Sequence, residues 1–97
     1  MFCKTLANRT RYEIIRILAD KPRNVKEICK KTGFEQSRVS HNLKKLEKCG
    51  FVSSVHKGKN RIYSLDREYI LPILKNIDKY IEKYQKRLKV CHLKLKM

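Results

Sequence analysis

In Glu35–Cys49, EQSRVSHNLKKLEKC, the apolar residues Val39, Leu43 and Leu46 recur at i, i+4 and i+7, the spacing of one face of an α-helix. Ser37, His41, Lys44 and Lys48 fall on the opposite face, with Arg38, Ser40 and Lys45 flanking them. No acidic residue occurs between Gln36 and Leu46. One side of such a helix can dock on a small core. The other presents short polar and basic side chains that can reach base edges and phosphates in a DNA major groove. A solvated amphipathic helix would divide its residues in the same way, so the neighbouring stretches have to arbitrate.

Upstream, Asn24 followed by Glu27 has the form of a capping box. It opens a short helix whose apolar stripe is Val25, Ile28, Cys29 and Thr32, and Gly33 supplies the left-handed position that stops it. A short helix, a Gly-containing turn and a helix with a basic outer face are the parts of a helix-turn-helix over residues 24–49. Downstream, Gly50 ends the second helix. Phe51–His56 and Arg61–Leu65 are rich in β-branched and aromatic residues, and Lys57-Gly58-Lys59-Asn60 separates them, which predicts a hairpin over residues 51–65. Its tip carries His56, Lys57, Lys59 and Arg61, with no acid between Glu47 and Asp66. An isolated two-stranded ribbon is only marginally stable, so an appended basic hairpin is expected to make a contact. The conjunction is a winged helix-turn-helix: mainly α, with one β-hairpin.

The two ends complete one domain over residues 1–97. Residues 1–19 form an apolar arm and a first core helix, N-capped by Asn8 and carried by Tyr12, Ile14, Ile15, Ile17 and Leu18. Pro22 biases Lys21 away from helix and ends it. From Asp66, a candidate N-cap, a long C-terminal helix over residues 66–95 is expected. Its apolar residues Ile70, Leu74, Ile77, Ile81, Tyr84, Leu88, Cys91 and Leu95 step by four and three, the 3.5-residue repeat of a two-helix seam. A chain this small does not need so long a seam for its own core, which points to a symmetry mate and hence a homodimer.

Composition narrows the partner. Lys and Arg number 25 against 9 Asp and Glu, a net charge of +16. That excess opposes a lone compact fold and attracts polyanions. No apolar run approaches the roughly 18 residues that a membrane span requires, and the first residues lack a signal-peptide layout. Cys3, Cys29, Cys49 and Cys91 are too dispersed for a CxxC motif or a compact disulfide framework. A cytoplasmic protein with no membrane partner and no cofactor is the expectation. The carboxylates are scattered and no nucleophile–base pair recurs at close spacing, so catalysis is not expected.

Several of these stretches resemble one family. Leu6-Ala7-Asn8-Arg9-Thr10-Arg11 with Tyr12–Leu18 is similar to the LADPTR…RILRLL opening of ArsR/SmtB-type regulators. Gln36–Leu43 resembles their QSTVSRHL recognition helix, Leu46–Val52 their LREAGLV, and Lys57–Leu65 their wing ending in YxL. The resemblance runs from about Leu6 to Asp66. It implies a homodimeric DNA-binding transcriptional regulator whose terminal elements make the dimer contacts, here Phe2, Leu6, Ile77, Ile81, Tyr84, Leu88, Cys91 and Leu95. Metal-sensing members carry Cys-x-Cys in the helix before the recognition helix, and Asn24 and Lys26 stand at those positions. Other members use Asp, His and Glu along the last helix, where Asp66, Glu68, Lys79 and Glu82 stand here. No metal site is therefore expected, and the effector, if any, is unknown. Glu35 replaces the usual Ser N-cap. Cys29 and Cys49 occupy positions where the family has a small buried residue, which predicts buried thiols.

The function expected is sequence-specific binding of double-stranded DNA at a pseudo-palindromic operator by a homodimeric repressor. Gln36, Ser37, Ser40, His41 and Lys44 would face the major groove. Arg38, Lys45 and Lys48 would hold phosphates, and His56, Lys57, Lys59 and Arg61 would contact DNA from the wing. The competing class is an architectural protein that coats DNA without sequence preference, because phosphate contacts carry no sequence information.

Overall fold

The computed structural model describes the backbone of residues 2–96 and the side chains of Lys4, Thr5 and residues 7–84. In chain order the elements are α1 (Phe2–Ala7), α2 (Arg9–Asp20), α3 (Val25–Thr32), α4 (Gln36–Lys48), β1 (Val52–Lys57), β2 (Asn60–Leu65) and α5 (Ile70–Lys96). They fall into two compact units, residues 1–66 and residues 67–97.

In the first unit the core gathers one stripe from each of three helices. Ile14, Ile15 and Leu18 of α2, Ile28 of α3, and Val39, Leu43 and Leu46 of α4 are all fully buried. Helices α2 and α3 begin and end where their local chemistry requires. Asn8 caps α2, its Oδ1 accepting from the Arg11 N–H at 3.1 Å. Lys21, before Pro22, is extended and closes that helix. On α3 the capping box is complete: Glu27 N–H donates to Asn24 Oδ1 at 2.8 Å and Asn24 N–H to Glu27 Oε1 at 3.1 Å. Gly33, at φ 79°, then turns its N–H onto the Cys29 carbonyl at 2.8 Å. Only Ile28 of the stripe expected on α3 is fully buried. Val25, Cys29 and Thr32 are half-buried, because α3 is short and packs along one edge.

Helix α4 closes in a Schellman arrangement, with Gly50 N–H on the Glu47 carbonyl (3.1 Å) and Phe51 N–H on the Leu46 carbonyl (2.9 Å). This feeds the chain directly into the wing. The strands pair antiparallel from Val52↔Leu65 to Lys57↔Asn60. The connection is tighter than expected, a two-residue loop of Gly58 and Lys59. Gly58 has φ 62° and Lys59 after it has no positive φ, the pattern of a type II′ turn. Phe51, Val52, Tyr63 and Leu65 anchor the base of the ribbon in the core, while its outer half is exposed.

A third segment joins the sheet. Arg23 forms an isolated antiparallel bridge to Tyr63, with N–H···O bonds of 3.0 and 2.9 Å in both directions. The Arg23 side chain is 6% exposed, and its Nη2 donates to Asp20 Oδ2 at 2.8 Å.

The second unit holds α5, which begins at Ile70 and not at Asp66. Asp66 is not at the N-cap position, because the turn residues 67–69 separate it from the first helical residue; its N–H is bonded to the Phe51 carbonyl at 2.9 Å at the base of the wing. Pro72 is the third residue of α5, inside the first turn, where a missing N–H leaves no helical bond unmade. Ile70 and Leu74 are buried.

Candidate nucleic-acid interface

Docking Val39, Leu43 and Leu46 inward forces the opposite face of α4 outward. Gln36, Ser37, His41, Lys44, Lys45 and Lys48 are exposed and Ser40 is half-buried. No acidic residue lies in the first turn. Glu35 precedes the helix in extended conformation and makes no side-chain cap bond, since its longer side chain does not fold back onto the first turn as Ser or Asn does.

Two flanks run beside this face and they are held differently. On the wing side, Ser54 Oγ of β1 donates to Glu47 Oε2 at 2.7 Å, which ties the ribbon to the last turn of α4. His56, Lys57, Lys59 and Arg61 are all exposed. His56 and Arg61 are cross-strand partners, so they share one face of the ribbon.

On the other flank α4 is bonded to α2. Arg38 lies over the Phe34 ring at 4.0 Å, and its Nε (3.0 Å) and Nη2 both donate to the buried Thr10 Oγ1. Arg38 is exposed, as a phosphate contact requires, yet much of its donor fork is already engaged. Asn42, 9% exposed, donates through Nδ2 to the Arg38 carbonyl at 2.8 Å and accepts from Arg11 Nε at 3.2 Å. Sequence periodicity gave no sign of Asn42, because a polar residue beside an apolar stripe is ordinarily counted as surface. Further along, Lys45, Lys48 and Cys49 line a cavity of about 310 Å³ with Lys4, Thr5 and Arg11.

The seam residues are placed only in part. Ile77 and Tyr84 are half-buried and Ile81 is 47% exposed. Tyr80, itself exposed, stacks at a tilt on Tyr84 with ring centroids 4.8 Å apart. Phe2, Leu6, Leu88, Cys91 and Leu95 lie outside the described side chains. Cys29 and Cys49 are free and half-buried, less enclosed than expected, since each sits at the margin of its helix's core stripe.

Among the described residues no three of His, Cys, Asp and Glu come close enough to hold a metal ion. Asn24 Oδ1 is occupied in the α3 cap and Lys26 presents an exposed ammonium. The groups at these two positions do not fit a thiolate-bound metal. Among the described residues no helix is long and apolar enough to cross a membrane.

The sequence model for bacterial regulatory proteins of the arsR family matches residues 8–54, from the α2 cap into the wing. The chain belongs to the arsR family. Solved structures agree with that membership. The homodimeric winged helix-turn-helix DNA-binding domain (fragment 1–100) of Mb0332 from Mycobacterium bovis, described as a possible ArsR-family regulator, is 26% identical. It superposes with a TM-score of 0.80 over 88% of this chain and 79% of that one. Rv0081 from M. tuberculosis is 30% identical, with a TM-score of 0.81 over 89% and 87%. NolR from Sinorhizobium fredii is 26% identical, with a TM-score of 0.74 over 81% and 79%. A comparison with curated proteins finds no match. As an arsR-family winged helix, this protein is a DNA-binding regulator of transcription and not an enzyme.

Proposed function

We propose that this arsR-family chain is a homodimeric repressor that reads a pseudo-palindromic operator. The observation that carries the proposal is the outer face of α4, where Ser37, His41, Lys44 and Lys48 stand exposed above the buried Val39, Leu43 and Leu46. Gln36, Ser37, Ser40, His41 and Lys44 read base edges in the major groove. Lys45 and Lys48 hold phosphates, joined by whatever part of the Arg38 fork Thr10 leaves unbound. His56, Lys57, Lys59 and Arg61 take the adjoining backbone or minor groove from the wing.

Two half-sites one helical turn apart, about 34–36 Å, require two recognition helices held at that spacing. The homodimeric state described for the Mb0332 domain supports a dimer. The contacts proposed for it are Ile77, Ile81, Tyr84, Leu88, Cys91 and Leu95 of α5, together with Phe2 and Leu6 of α1. Sedimentation at micromolar concentration checks this: Ile81→Lys with Leu88→Lys should give a folded monomer that keeps only weak, non-specific DNA binding.

Selection of bound fragments from random DNA, followed by titration against selected and scrambled duplexes, tests the function. A specificity ratio of about 10³ or more at moderate salt is expected, and a ratio near one would make the protein a non-specific coat instead. Lys44→Ala or His41→Ala should change preference at particular base pairs by about 1–3 kcal/mol. Lys57→Ala should weaken all sequences alike.

A further inference from the structure

The bridge between Arg23 and Tyr63 has a consequence for α3. Its pairing is antiparallel, so the chain leaving Arg23 runs back along β2 towards the wing tip. The first turn of α3 therefore starts beside the first residues of β2, and a groove of about 460 Å³ opens between them. Lys26 lines it from α3, Gln36 from the first turn of α4, and Lys59, Asn60 and Arg61 from the wing, with Cys29 in its wall. No carboxylate lines it among the described residues. Glu27, the one acid in the first turn of α3, has its Oε1 on the Asn24 N–H in the cap.

Lys26 is placed where helix stability does not favour it, because a cation in the first turn opposes the positive end of the macrodipole. That end, together with three ammonium and guanidinium groups drawn from two elements, suits an anion. Gln36 identifies which anion reaches the groove. It is the first residue of the recognition helix and shares the groove with Lys59 and Arg61 of the wing tip, so a duplex read by α4 carries one strand past it.

We propose that this groove seats a backbone phosphate of bound DNA, with Lys26, Lys59 and Arg61 as its clamp. The inference rests on α4 being the DNA-reading helix and adds α3 to the interface. The contact fixes position and carries no base information. Phosphate binding here holds the wing tip and the start of α3 against one strand, so α4 enters the groove with its N-terminal end fixed on both sides.

The test uses the full chain and its selected duplex. Lys26→Glu should leave the helix intact, since an acid suits the first turn, yet should weaken selected and scrambled duplexes by the same factor. Lys26→Gln should lower the slope of log K against log salt by about 0.9, the value of one phosphate contact. Lys31→Gln, the same charge change at the other end of α3 and away from the groove, should leave the slope nearly unchanged. Cys29 reports independently: duplex should slow its alkylation by N-ethylmaleimide in proportion to the bound fraction, read peptide by peptide by mass spectrometry. A duplex that binds and footprints while Cys29 alkylates at its free rate, or a Lys26→Gln slope equal to that of Lys31→Gln, overturns the groove contact and leaves the α4 reading standing. A chain that binds no duplex overturns both.

Discussion

Helices α3 and α4 lie side by side in one motif, yet different forces hold them in place. Eight-residue α3 is closed by its own sequence: a reciprocal Asn24–Glu27 box at one end and Gly33 at the other, with a single fully buried side chain, Ile28. Thirteen-residue α4 starts at Glu35 with no cap bond. It is held by what surrounds it: Val39, Leu43 and Leu46 in the core, Arg38 on Thr10 and Phe34, Asn42 on Arg11, and Glu47 on Ser54. A helix fixed by local caps has little freedom in where it begins. One fixed by tertiary bonds takes its orientation from its neighbours, which suits an element whose outer face has to meet a partner in one pose.

Four substitutions would break or sharpen that contrast. Leu43→Ala removes a fully buried side chain from the centre of α4. It should cost about 2–5 kcal/mol in denaturant unfolding, a large share of the roughly 5–15 kcal/mol that such a domain possesses. Next in size is Asn42→Ala, which strips Arg11 Nε of its acceptor. A loss of about 1–3 kcal/mol is expected. The double variant with Arg11→Ala should lose less than the sum of the two singles, and strict additivity would show that the bond holds nothing. Asn24→Ala opens the α3 box and should cost about 1 kcal/mol. That loss should be confined to stability, with operator affinity of the folded fraction unchanged by titration. The smallest effect has the opposite sign. Glu35→Ser gives α4 the cap it lacks and should raise the melting temperature slightly, by a fraction of the roughly 1 kcal/mol that a good cap contributes. A lowered melting temperature would mean that the Glu35 charge at the helix start matters more than the missing bond.

Local chemistry made much of the fold legible. The Asn8 cap, the Asn24–Glu27 box, the left-handed Gly33 and Gly50 and the Gly-bearing hairpin each act within a few residues, so sequence order alone places them. The outer face of α4 was legible for the same reason, since burying Val39, Leu43 and Leu46 leaves Ser37, His41, Lys44 and Lys48 nowhere to go but out. The start of α5 was not, because Asp66 has the side chain of an N-cap, yet the chain makes a turn over residues 67–69 before the helix begins at Ile70.

The sequence by itself determined the helix-turn-helix, the basic ribbon and the sign and placement of the outward charge. Period and capping are properties of neighbouring residues, and an excess of 25 basic over 9 acidic side chains cannot be hidden in so small a core. Only the tertiary structure decided how those parts are joined. It buried Arg23 and paired its backbone with Tyr63, turned Arg38 back onto Thr10 and Phe34, enclosed Asn42, and set Lys26 beside Lys59 and Arg61. Apart from the ring contact of Arg38 on Phe34, four residues back along the chain, each of these links residues distant in sequence, by a hydrogen bond or a shared groove. Directional contacts between distant residues depend on how packed elements are angled, which residue order along one element does not encode.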